Sequence, residues 1–267
     1  MGPSPLLDFF RRGEVARDVR LVAAQGALAP RAHEQLSILI ILLDDPDPEI
    51  RRTTEETLGR IPPELLSAFL ARADIPLGVR EFFADRGIFA ADVAAGDEQV
   101  EAPLYDAEAE VEYADVPGGD DALTSEEDRR QSVQQQLAKM GFTERLKAAV
   151  KGTREMRAIL VRDPNKMISS SVLSSPKLTE NEVAAISRMA NVSEDVLRII
   201  ATNRAWLKNY QVVLGLTKNP KTPLGLSMNM MARLNDRDLA QLSVDRNVPE
   251  PLRVAARKKI VAATSKT

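Results

Sequence analysis

The stretch LGLTKNPKTPLGLSMNMMARLNDRDLAQLSVDRNVPEPLRVAARKK, Leu214 to Lys259, decides how the rest of the chain is read. An earlier stretch resembles it: LLDDPDPEIRRTTEETLGRIPPELLSAFLARADIPLGVREFFADR, Leu42 to Arg86. With Pro48 laid on Pro223, Arg60 falls on Arg233, Leu66 on Leu239 and Pro76 near Pro249, with gaps of one or two residues. A weaker third copy runs from Ser174 to Arg204, where Pro176 matches Pro220 and Arg204 matches Arg246. The spacing predicts a repeated two-helix unit of about 42 residues, the signature of a helical solenoid.

Composition agrees with helices. The 267 residues are 44% hydrophobic but only 4% aromatic, so the core must come from Leu, Ile, Val, Ala and Met, which suit packed helices better than sheets. No segment alternates apolar and polar residues for long enough to predict a strand. The chain holds no cysteine, which excludes disulfides, thiolate metal sites and a cysteine nucleophile. The most apolar run, Leu36 to Leu43, is too short to cross a bilayer. The opening MGPSPLLDFFRRG lacks the basic and apolar regions of a signal peptide, and Leu6 spoils a myristoylation motif. A cytoplasmic protein without a membrane partner is expected.

Charge is unevenly distributed. Residues 1–86 carry 11 basic and 14 acidic side chains, residues 87–128 carry 14 acidic and no basic ones, and residues 129–267 carry 25 basic and 11 acidic ones. A separation on this scale governs association more than fold.

Taken in order, residues 5–28 predict a short and a longer helix broken near Gly13, and 31–43 a helix that is apolar all round and hence central. Asp47 as N-cap and Pro48 as first helical residue begin a helix reaching about Arg60. Pro62-Pro63 begins the next, with Leu65, Leu66, Phe69 and Leu70 inward, and Pro76 another, with Val79, Phe82 and Phe83 inward. From about Ala91 to Ser125 the pattern gives way to an acidic segment with Pro103, Pro117, Gly118 and Gly119, which reads as a poorly ordered linker. Its scattered Leu104, Tyr105, Val111, Tyr113 and Val116 can dock it on a neighbouring surface. Helices resume with capping boxes at Thr124/Glu127 and Thr179/Glu182, and a new start at Thr143. Val183, Ile186, Met189 and Ala190 make one apolar stripe, and Leu207, Tyr210, Val213 and Leu214 another. The expected organisation is an N-terminal helical lobe over 1–90, the linker over 91–125 and a basic C-terminal lobe over 126–267.

Asp45-Pro46-Asp47-Pro48 with Ile50-Arg51, and their counterparts Lys218-Asn219-Pro220 with Leu224, carry a resemblance to the HEAT-like and leucine-rich-repeat-variant families of α-solenoids. It spans about residues 33–90 and 145–262, with few repeats, varying spacing and the acidic insert as departures. The resemblance implies an all-α solenoid in two lobes, and a scaffold that binds other macromolecules. One branch of HEAT-like proteins binds DNA and excises alkylated bases, which implies a carboxylate beside an aromatic pocket; Asp195, Asp236 and Asp238 are available, but their spacing singles out none.

No motif names a reaction or a cofactor. GxxxxGK[ST], GxGxxG and GxSxG are absent, and Gly118-Gly119 lies between acids that would repel a phosphate. His33 is the sole histidine and reads as a partly exposed residue at a helix start rather than a triad member or ligand. Asp44, Asp45, Asp47 and Glu49 lack the Gly and Glu positions of a calcium loop and read as turn and cap. Met228, Met230 and Met231 read as core filler, with an adaptable groove as the alternative. The best binding candidates are the turn residues Arg204, Lys208, Lys218, Lys221, Arg237 and Arg246, which stacked repeats would align in a ridge, with Trp206 beside them. The expected function is a non-enzymatic, bacterial-type adaptor without metal or cofactor. Its basic lobe takes an acidic protein partner, for which the chain's own linker competes, and the N-terminal lobe packs on the other lobe or self-associates. The alternative is nucleic-acid binding, with the aromatic stacking a base beside phosphate-binding cations.

Overall fold

The computed structural model describes residues 4–29, 31–92, 102–106 and 126–264. Among them are sixteen α-helices and no strand. They are α1 (Pro5–Arg11), α2 (Arg17–Ala24), α3 (Ala32–Leu42), α4 (Pro48–Arg60), α5 (Pro63–Leu70), α6 (Leu77–Ala84), α7 (Glu126–Lys139) and α8 (Phe142–Lys151). Then follow α9 (Arg154–Leu160), α10 (Lys166–Ser171), α11 (Glu180–Arg188), α12 (Glu194–Thr202), α13 (Tyr210–Lys218), α14 (Leu224–Met231), α15 (Asp236–Val244) and α16 (Glu250–Thr264). No helix is long and apolar enough to cross a membrane among the described residues. The expected all-α class is observed.

The chain divides into two compact units: residues 6–156 with 174–176, and residues 157–173 with 177–267 together with the first five. The division falls inside α9. α7 and α8, assigned from sequence to the C-terminal lobe, belong to the first unit. The reason is packing: α8 lies against α2, its Leu146, Ala148, Ala149 and Val150 are buried, and Thr143 Oγ1 donates to Asp18 Oδ2 at 3.3 Å.

Within the first unit, α2 packs on α3 and α4. The DDPDP turn links them through local chemistry. Asp47 caps α4 by accepting from Glu49 N, and the buried Asp45 accepts from Asp47 N at 2.9 Å and pairs with Arg20 at 2.8 Å. Arg17, at the start of α2, reaches Asp47 at 2.6 Å and also pairs with Glu49. These acids are therefore cap and turn residues, engaged by arginines. A core of Ala32, Leu36, Leu39, Ile61, Leu66, Phe69, Leu70, Ile75 and Phe83 forms beneath α3, α5 and α6. Leu65, expected inward, is 48% exposed, because the buried face of α5 is set by Leu66, Phe69 and Leu70. Gly13 and Gly26 end α1 and α2 at φ of 69° and 81°, values that favour glycine.

In the second unit, helices from α11 onward begin 12 to 16 residues apart. Consecutive helices touch from α11 to α14 and again at α15 and α16, and so do three next-but-one pairs: α10 with α12, α11 with α13, and α14 with α16. Side chains bridge the same pairs with like ends together. Lys166 pairs with Asp195 at 3.2 Å, Asn209 Nδ2 donates to Glu180 Oε2 at 3.2 Å, and Lys259 Nζ donates to Ala232 O at 2.9 Å. The sequence separations of these last two contacts are 29 and 27 residues. These contacts join helices two apart across about 28 residues, shorter than the 42-residue spacing of the sequence match. Each of the two longer stretches matched from sequence, Leu42 to Arg86 and Leu214 to Lys259, takes in the starts of three helices, α4–α6 and α14–α16. Asx and proline residues recur at many helix starts, and starts recur about every 14 residues, so a shift by three starts matches as well as a shift by two.

Cap chemistry follows the sequence closely here. Thr179 and Glu182 form the expected capping box, and Asn165, Ser193, Asn209 and Asn235 cap α10, α12, α13 and α15. α8 starts at Phe142, one residue before Thr143, with Gly141 at the cap and Glu144 reaching back to it. The Thr124 box lies outside the described residues. Ala190, expected on the α11 stripe, is exposed beyond the end of that helix.

Candidate binding surface of the basic unit

Residues 157–267 carry 18 basic and 9 acidic side chains. The acids sit largely in first helical turns: Glu180 and Glu182 on α11, Glu194 and Asp195 on α12, Asp236 and Asp238 on α15, and Glu250 on α16. There they complement the positive helix end, and several have partners. Glu194 pairs with Arg198 at 2.5 Å, and Asp238 accepts from Tyr210 Oη. That bond and burial hold the Tyr210 hydroxyl above its usual pKa, burial being the larger cause. Glu182 pairs with the buried Arg157 at 2.8 Å. Burial pushes the Glu182 carboxyl up, but hydrogen bonds from Thr179 and Arg157 outweigh it, leaving it below the usual range.

Some cations are equally structural. Arg233 Nη2 donates to Leu207 O at 2.7 Å, Arg257 Nε to Ser243 O at 3.1 Å, and Lys259 to the carbonyls ending α14. Each satisfies carbonyls at or near a helix end, groups that otherwise lack a partner. Their offsets of 14 to 28 residues depend on which helices stack, so local sequence carried no signal for these roles.

Of the seven residues singled out from sequence, Arg204, Lys208, Lys221, Arg237 and Arg246 are exposed and their side chains make no hydrogen bond or ion pair among the described residues. Lys218 is half-buried, with Nζ on Gln241 Oε1 at 3.0 Å. Trp206 is half-buried in a 3₁₀ turn over residues 206–208. They do not form one ridge. Arg204, Trp206 and Lys208 lie in the turn before α13, which Arg233, Tyr210 and the Asn235 N–H join to the turn before α15, bringing Arg237 to the same end. Lys218 and Lys221 lie at the opposite end of α13, and Arg246 in the turn after α15. A nine-residue helix separates the ends by about 13 Å.

Of the methionines, Met230 and Met231 are buried, whereas Met228 is half-buried and lines an open cleft with Pro251, Val254, Ala255 and Lys258. His33 is half-buried near the start of α3, in the first unit, where burial lowers its pKa against a smaller opposing effect of Asp74. No group of three His, Cys, Asp or Glu that could hold a metal ion occurs among the described residues.

Comparison with models of known protein families, with curated proteins and with solved structures yields no match. The class defined by the fold is an all-α protein of short helices with a positively charged unit.

Proposed function

We propose that the chain is a non-enzymatic adaptor, a HEAT-like α-solenoid in two lobes, whose 157–267 unit binds an acidic segment of a protein partner. The observation that carries this reading is the fate of the charges. The unit's carboxylates are drawn to helix N-termini and local pairs, while Arg204, Lys208, Lys221, Arg237 and Arg246 project without a partner. Such charge contributes little to stability and favours encounter with an opposite charge. Two clusters at opposite ends of α13 suit an extended acidic segment lying along the stack better than a compact ligand. Next-but-one contacts between short helices support the solenoid. Masking by the acidic linker would fall to residues 93–101 and 107–125, outside the described ones. The described piece, 102–106, is held in the first unit.

The test is fluorescence anisotropy of a labelled glutamate-rich peptide against the full chain and two charge-reversal variants, R204E/K208E and K221E/R246E. Each variant is expected to weaken binding, and their combination to abolish it. Unchanged affinity in both would sink the proposal.

A further inference from the structure

Residues Ala102–Asp106 of the acidic segment lie in a cleft of the first unit whose contacts have the chemistry of peptide recognition. Gln35, on α3 and 1% exposed, turns its carboxamide on the backbone of Tyr105: Oε1 accepts from Tyr105 N at 3.1 Å, and Nε2 donates to Tyr105 O. One side chain thus satisfies both polar groups of a residue, as a neighbouring strand would, and this contact is indifferent to the residue's identity. Leu104 and Tyr105 pack on the core formed by α3, α5 and α6. Gly26 floors the ring's position: a Cβ there would stand 2.9 Å from Tyr105 Cδ1. Arg60 Nη1 meets the Tyr105 hydroxyl at 3.3 Å, and Lys151 Nζ on α8 holds both oxygens of Asp106, at 2.8 and 2.7 Å.

We propose that this cleft is a recognition site for a non-helical Leu-aromatic-acid segment of a partner protein, and that Leu104-Tyr105-Asp106 occupies it as an internal stand-in. The cleft selects by three separate means: Gln35 for a residue whose backbone N–H and C=O are both free, the apolar floor beside Gly26 for leucine and an aromatic ring, and Lys151 for a following carboxylate. The occupant is not helical and belongs to no helix of the unit. It competes at the high effective concentration of a tethered ligand. Binding in trans then requires its displacement, which makes the acidic segment a built-in competitor. This inference is independent of the basic surface on residues 157–267.

The test uses the full chain and a labelled decapeptide, EAPLYDAEAE, copied from residues 101–110. The variant L104S/Y105S, emptied of its own anchor side chains, should bind the decapeptide at least about tenfold more tightly than the wild-type chain. Adding Q35A should remove the gain, and a decapeptide with serines in place of its Leu-Tyr should not bind. In the wild-type chain, the Tyr105 amide should exchange with deuterium far faster than core amides of α3, reporting local release. Absence of binding by a variant of unchanged helical circular dichroism overturns the proposal. So does loss of that helical signal, or Tyr105 exchange only through global unfolding, since either makes the segment part of the core. A wild-type dimer that L104S/Y105S dissociates would replace the partner protein with exchange between two copies.

Discussion

Arg157 and Glu182 form a buried ion pair inside the second unit, 4% and 9% exposed, with Arg157 also donating to Lys177 O at 3.2 Å. Removing one partner strands a charge away from water, so Arg157→Ala should cost about 3–5 kcal/mol in urea denaturation. The depressed Glu182 pKa sets a pH dependence of definite sign. The unfolded carboxyl binds protons first as pH falls, so the stabilisation is complete above the ordinary glutamate range and is lost as pH falls towards the lower folded value. Glu182→Gln should flatten that acid limb. His33 acts at milder pH: burial favours its neutral form, so its contribution is present above about 6.5 and declines as pH falls towards its folded pKa. A stability profile of His33→Gln should lack that decline, and an NMR titration of the imidazole should give a pKa below the free value. His33 lies where the sequence placed it, partly exposed at a helix start, but the Arg157–Glu182 pair was not legible. No local pattern marks Arg157, whose partner lies 25 residues away on another helix.

At the scale of helices, two glycines separate close packing from helix propensity. A Cβ on Gly215 of α13 would meet Ser187 Oγ at 2.1 Å and Arg188 Cγ at 3.0 Å, because α11 and α13 lie against each other there. Gly215→Ala should destabilise by about 1–3 kcal/mol through overpacking. Gly59, in the last turn of α4, faces open space, and Gly59→Ala should stabilise by about 0.5–1 kcal/mol through propensity alone. Thermal melts of the two variants therefore move in opposite directions. Asn219, buried after α13, donates Nδ2 to Ser187 O at 2.9 Å and Met189 O at 3.0 Å and accepts from Lys221 N at 3.0 Å. Asn219→Ala leaves buried carbonyls at the end of α11 unpaired and should cost about 1–3 kcal/mol. Helix starts were legible because caps are local: Asp47, Thr179 and the Asx residues each act within three positions. The spacing of helix contacts was not, since starts recur about every 14 residues and permit a 42-residue match where helices two apart meet across about 28.

Across the whole molecule, charge outlines the same two parts as packing does, with a shifted boundary. The all-α class, the acidic segment and the basic C-terminal region were legible from composition. The assignment of α7 and α8 was not, because α7 is predominantly polar and the face α8 buries against α2 can be placed only with the partner present. The single ridge of cations expected from stacked turns becomes two clusters, since alternate turns point to opposite ends of the stack. That arrangement supports the proposal that the exposed cations of residues 157–267 take an acidic protein segment. A salt titration of the full chain tests it most directly, comparing a glutamate-rich peptide with a mixed-sequence single-stranded DNA oligomer of equal charge. Saturable peptide binding is expected, stronger than DNA binding at matched salt and weakened moderately as salt rises. No peptide binding at low salt, or DNA binding that dominates and falls steeply with salt as phosphate contacts require, would contradict it.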